Sequence, residues 1–136
     1  MMIKRNQMGV IFNAYQGKHK KVLTVCSAGC LRSPTAAHIL SSDPWNFNTR
    51  AAGISLEYAI VPVTEALIVW ADMIICMDSD QVKHINEMQN ILAKEASSMF
   101  EYDYKQVINL EIEDDFEYRS PLLVSIMTKK FQEIFN

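Results

Sequence analysis

Cysteine, glycine and proline are all scarce in this chain: 3 Cys, 4 Gly and 4 Pro among 136 residues. Each scarcity excludes something. An odd, sparse set of cysteines (Cys26, Cys30, Cys76) does not build a secreted disulfide scaffold, so a reducing, cytoplasmic compartment is expected. Cys26 and Cys30 lack a second ligand pair at usable spacing, so no zinc site is read and no metal or other cofactor is expected. With few Gly and Pro there is no low-complexity tract or linker, and no internal repeat is visible. No apolar run approaches the roughly 20 residues of a membrane span, and the start, MMIKRNQMGVIFNAY, lacks the continuous apolar region of a signal peptide. A strong excess of charge of one sign is also lacking. A net charge of −3 argues against nucleic acid or an anionic membrane as a partner held by bulk electrostatics.

What is present is the composition of a globular domain, 49% apolar and 21% charged, enough to bury a core. Residues 1–20 read as an N-terminal extension and residues 21–136 as one domain. Residues 21–26 (KVLTVC) are short and β-branched, as a buried strand is. A helix follows with Pro34 in its first turn. Residues 47–52 give a second strand closed by Gly53, and Thr64 caps a helix running to about Trp70. Residues 72–77 (DMIICM) are a continuous apolar run, the mark of a strand covered on both faces. Ser79 begins a helical stretch expected to reach about Phe100, either continuous or broken once, with Val82, Ile85, Met88 and Leu92 at helical spacing. Residues 107–110 (VINL) form a fourth strand. Ser120-Pro121 opens a last helix whose stripe is Leu123, Met127, Phe131 and Ile134. Strands alternating with helices predict an α/β three-layer sandwich: a four-stranded parallel sheet flanked by helices.

Ligands of such sheets bind beyond the carboxyl ends of the strands, and Cys26 lies at such an end. After it, Ser27, Ala28, Gly29 and Cys30 are small enough for the backbone to curl into a nest of inward amides, with Leu31 closing the curve. The helix opening near Ser33-Pro34 adds its positive end, and Arg32 offers a bidentate fork for phosphate oxygens. The same field favours a nucleophilic thiolate at Cys26, which the Ser33 hydroxyl would support by a hydrogen bond. Phosphomonoester cleavage further needs an acid for the leaving oxygen. The stretch EIEDDFEY (111–118) follows the fourth strand at the same sheet edge and supplies Asp114, with Asp115 as a second acid or loop support. Tyr58, Phe116 and Tyr118 are candidates to wall a pocket for an aromatic substrate.

These residues carry a resemblance. From Val22 onward the chain resembles a low-molecular-weight protein tyrosine phosphatase. The shared segments are the loop CSAGCLRSP (26–34), TRAAGI (49–54), ADMIICMDSDQVKHI (71–85) and DDFEY (114–118). The last segment is closer to a short bacterial and phage branch than to the classical enzymes. The resemblance implies that Cys26 attacks phosphorus to give a phosphocysteine and that Arg32 with the loop amides holds the phosphoryl oxygens. It also implies that Asp114 is the general acid and that no metal takes part. Its substrate would be a phosphorylated protein or a small aryl phosphate. The chain departs from the family in having Gly29 where an Asn is usual, and Leu31 rather than a cysteine before the Arg.

Two other readings use the same loop. An arsenate reductase would need further cysteines on a mobile segment, and none follows Cys76. A phosphate-accepting or phosphopeptide-binding module without turnover would not need the Asp114/Asp115 pair. Cys30 is expected to protect Cys26 from over-oxidation if their geometry allows a disulfide. His38 and His84 read as surface or packing residues on helices, and Cys76, Met73, Met77, Met88 and Met127 as core.

Overall fold

The computed structural model describes residues 20–27, 32–55, 57, 59, 61–96, 101–112 and 120–135. The order of elements is β1 (Lys21–Cys26), α1 (Arg32–Leu40), β2 (Asn48–Gly53), α2 (Glu65–Trp70), β3 (Met73–Cys76), α3 (Ser79–Glu95), β4 (Gln106–Asn109) and α4 (Pro121–Phe135). The strands form a four-stranded sheet in the order β2-β1-β3-β4 with every pairing parallel.

The strand pleat divides the core in two. Val22 and Cys26 of β1, with Met73 and Ile75 of β3, pack on one side against Ala36 and Leu40 of α1 and Leu123, Met127 and Phe131 of α4. Leu23, Val25, Ile74 and Cys76 point the other way, onto Ile68 of α2 and Ile85 of α3. Helices thus cover both faces of the central strands, which is why β3 is buried at every position and reads as an unbroken apolar run. The three-layer arrangement and the four-stranded parallel sheet are those expected from the sequence.

Besides one-residue shifts at the ends of β2, β3 and β4, one helix end and two helix stripes differ from expectation. Helix α3 ends at Glu95, with Ala96 in extended conformation, rather than near Phe100. The chain instead turns back, and Gln89 holds it: its Oε1 accepts from the Tyr102 hydroxyl at 2.5 Å and the Lys105 amide at 2.7 Å. The apolar stripe of α4 is Leu123, Met127 and Phe131, while Ile134 is exposed at the helix end beyond the sheet. On α3, Ile85 is buried, but its fully buried neighbours are Gln81 and Gln89 rather than Val82, Met88 and Leu92, which pack at the margin. His38 is exposed and His84 half-buried, whereas Met73, Met77, Met127 and Cys76 are core. No helix among the described residues is long and apolar enough to cross a membrane.

The topology fixes where a ligand would bind. From β1 the chain crosses to β2 on one side, and from β3 it crosses to β4 on the other, so α1 and α3 leave adjacent strand ends from opposite faces. The crevice at such a switch point is the usual binding place in open α/β sheets.

Candidate active site

Cys26 is the last residue of β1, at that crevice, and is buried. Its carbonyl accepts from the Ile54 amide at 3.0 Å, and the Ser27 carbonyl accepts from the Ser55 amide at 2.8 Å. The parallel ladder therefore continues past both strands and holds the start of the loop in register with residues 54–55. Seven positions on, the Ser33 hydroxyl lies 3.0 Å from Cys26 Sγ. Ser33 is fixed from below, because the buried Thr24 hydroxyl donates to its carbonyl at 2.8 Å.

The Ser33 hydroxyl carries one hydrogen and has two uses for it. It stands 3.3 Å from the Ala52 carbonyl as well as against the sulfur. With a Cys26 thiol, S–H donates to Ser33 and Ser33 to Ala52. With a thiolate, Ser33 donates to sulfur instead. The site accepts either protonation state with a turn of one hydroxyl.

Arg32 opens α1 and is 2% exposed, a burial that a guanidinium tolerates only when paired. Its Nη1 donates to the Ile112 carbonyl at 2.8 Å and to Asp78 Oδ2 at 3.2 Å. Those two bonds engage both hydrogens of Nη1 and hold the guanidinium at the loop's end. The Ile112 carbonyl is itself positioned by the sheet: its amide donates to the Met77 carbonyl at 2.8 Å, just as the Leu110 amide donates to that of Cys76. Between them Glu111 takes a left-handed backbone, φ 58°, its amide bonded to Asn109 Oδ1 at 3.0 Å.

Asp78 and Gln81 were not singled out from the sequence. Asp78 caps α3, with Oδ1 accepting from the Asp80 amide at 3.1 Å, while Gln81 completes a capping box. Gln81 Oε1 accepts from the Met77 and Asp78 amides, both at 2.8 Å, and its Nε2 donates to Ser27 Oγ at 3.2 Å. The sequence signal, an Asp followed three residues on by Gln before an apolar run, announces a helix start and nothing about a neighbouring loop.

Of the residues picked out from the sequence, Cys26, Ser27, Arg32 and Ser33 meet in this crevice. Ala28, Gly29, Cys30 and Leu31 of the loop lie outside the described residues, as do Tyr58, Asp114, Asp115, Phe116 and Tyr118. The acidic segment leaves the described chain at Ile112, the residue whose carbonyl binds Arg32. Cys76 is excluded from thiolate chemistry: burial in β3, reinforced by the Asp78 carboxylate, pushes its thiol up to about 12. Among the described residues no group of three or more His, Cys, Asp or Glu side chains is placed to hold a metal ion.

No protein-family model matches this chain, and no curated protein matches it. Solved structures do. The four-stranded parallel α/β sandwich is a fold this chain shares with them. YwlE arginine phosphatase from Geobacillus stearothermophilus is similar with a TM-score of 0.52 and 16% identity, over 85% of this chain and 88% of that one. A YwlE mutant from Bacillus subtilis is similar with a TM-score of 0.54 and 16% identity, over 83% of this chain and 92% of that one.

Proposed function

We propose that this protein is a cysteine-dependent phosphatase acting through a phosphocysteine intermediate. The observation that carries the reading is Cys26 Sγ at 3.0 Å from Ser33 Oγ, with buried Arg32 beside Ser33 at the start of α1. A nucleophile, a hydroxyl that serves its anion and a cation for the phosphoryl group thus share one strand-to-helix turn. Similarity in fold to a phosphatase supports the same reading.

In the first step the Cys26 sulfur attacks phosphorus, the bond from phosphorus to the leaving group breaks, and Asp114 gives its proton to the departing atom. In the second step water attacks the phosphocysteine, Asp114 takes the water proton, and the sulfur leaves as thiolate supported by Ser33. Arg32 and the amides of residues 27–33 stabilise the equatorial oxygens throughout, since phosphoryl transfer is chiefly positioning and charge stabilisation. Asp115 shapes the acid loop, and Tyr58, Phe116 and Tyr118 wall the substrate pocket.

The substrate we propose is a phosphorylated protein, phosphotyrosine in the first instance, for which a small aryl phosphate stands in. The fold neighbour named an arginine phosphatase makes phosphoarginine the second substrate to test. The setting is the cytoplasm, with no metal, nucleic acid or membrane required. An arsenate reductase is disfavoured because Cys76 is locked in the core as a thiol.

The test is phosphate release from an aryl phosphate and from phosphoarginine, with and without chelator. Wild type should hydrolyse one or both regardless of chelator, and Cys26→Ser and Arg32→Ala should be inactive. Full activity in Cys26→Ser would contradict the mechanism.

A further inference from the structure

The capping box of α3 touches the phosphate loop at both of its ends. Asp78 reaches Arg32, which closes the loop, and Gln81 reaches Ser27, which opens it. Both side chains belong to one helix start, and Gln81 is completely buried. Their separate duties to the helix do not need these contacts. Asp78 caps with Oδ1 and spends Oδ2 on Arg32, while Gln81 caps with Oε1 and spends Nε2 on Ser27.

We propose that Asp78 and Gln81 are positioning residues for phosphate binding, setting the span between Ser27 and Arg32 from the opposite face of the sheet. The proposal rests on the phosphatase reading of the loop but concerns how the loop is held. α1 and α3 start from adjacent strand ends on opposite faces, so a helix that carried only its own cap would leave the loop supported from the α1 side alone. Arg32 is a long side chain with several rotatable bonds, and ordering it unaided would cost much of the binding energy of its fork. Two anchors on Nη1, the Ile112 carbonyl and the Asp78 carboxylate, order the guanidinium before an anion arrives. The Asp78 charge opposes anion binding electrostatically. Positioning outweighs this because Asp78 is at the crevice rim, about 39% exposed, where water screens its charge.

Substitution at Asp78 separates the two duties. Asn and Ser cap helices as well as Asp does, but each has a single oxygen, which cannot cap α3 and hold Arg32 at once. Asp78→Asn and Asp78→Ser should therefore keep the α3 cap and remain folded at the assay temperature, with a melting temperature lowered only by the lost ion pair, yet bind inorganic phosphate more weakly by about tenfold, the loss of one charge-assisted hydrogen bond. Where the wild type turns over an aryl phosphate, kcat/KM should fall in the same proportion. Ser27→Ala should weaken phosphate binding by about threefold through the Gln81 contact, a neutral hydrogen bond.

Calorimetric titration with inorganic phosphate, read beside thermal unfolding without it, checks this. Asp78 variants that bind phosphate as wild type does, or more tightly, overturn the proposal. So does a fall in melting temperature large enough to account for the loss, and so does a wild type that binds no phosphate. If the wild type binds phosphate in an Asp78-dependent way but hydrolyses nothing, the positioning role stands and the phosphatase reading falls.

Discussion

Cys26 Sγ and Ser33 Oγ lie 3.0 Å apart, one at the end of a strand and the other in the first turn of the next helix. That contact makes Ser33 a polar partner of the sulfur in both its states. Ser33→Ala should slow alkylation of Cys26 by iodoacetamide at neutral pH and lower kcat, each by roughly ten- to a hundredfold, the range for a hydrogen bond to a charged group. Mass spectrometry of the peptide containing Cys26 gives the alkylation rate. Equal rates in wild type and Ser33→Ala would remove Ser33 from the mechanism.

The acid is proposed to be Asp114, two residues beyond the Ile112 carbonyl that binds Arg32. Asp114→Asn should cost ~10²–10⁴-fold in rate on substrates with a poor leaving group, and far less where the leaving group is good. Asp115→Asn should cost much less on both. A series of aryl phosphates of graded leaving-group acidity checks the assignment, and the reverse ranking would transfer the role to Asp115.

Cys76 makes stability fall at high pH. Its thiol ordinarily titrates at 9.0 but holds its proton to about 12 in the folded protein. Below pH 9.0 both states are protonated and the burial of a neutral thiol is fully favourable. Above it the unfolded chain loses the proton while the folded chain keeps it, so stability declines as pH rises through that window. The slope is of the order of 1 kcal/mol per pH unit. Tyr102, raised in the same direction by burial and then by Tyr104, adds to it. Urea unfolding across the window should show a shallower alkaline loss for Cys76→Ala than for wild type, despite the lower neutral stability of the variant.

Glu111 holds a left-handed backbone at the turn that presents the Ile112 carbonyl to Arg32. A β-branched residue there meets a steric penalty that glycine does not. Glu111→Val should destabilise the protein by ~1–2 kcal/mol and weaken phosphate binding, whereas Glu111→Gly should leave both near wild type. Chemical denaturation and phosphate titration of the two variants check this.

The elements legible in the sequence were those whose own side chains specify them. Lys21–Cys26 and Met73–Cys76 announce buried strands by unbroken apolar or β-branched runs, and Thr64 caps α2 as its position promised. The pairing of Cys26 with Ser33 was equally legible, because a strand end, a tight loop and a helix start bring residues seven apart back together. Asp78 and Gln81 were not. Their contacts with Arg32 and Ser27 span 46 and 54 residues, and which helix start faces the loop is decided by strand order. The end of α3 was missed for a similar reason. Residues beyond Glu95 carry no helix stop signal of their own, and it is the return of Tyr102 and Lys105 onto Gln89 that redirects the chain.

The central claim is that phosphate passes through a covalent bond to the Cys26 sulfur. Rapid mixing with an aryl phosphate or phosphoarginine, acid quenching and peptide mass spectrometry test it most directly. The account predicts one phosphoryl group on the peptide containing Cys26. It should accumulate further in Asp114→Asn with a good leaving group and be lost in Cys26→Ala. Hydrolysis that proceeds with no phosphoryl group on Cys26, or that places it on another residue, would contradict the account.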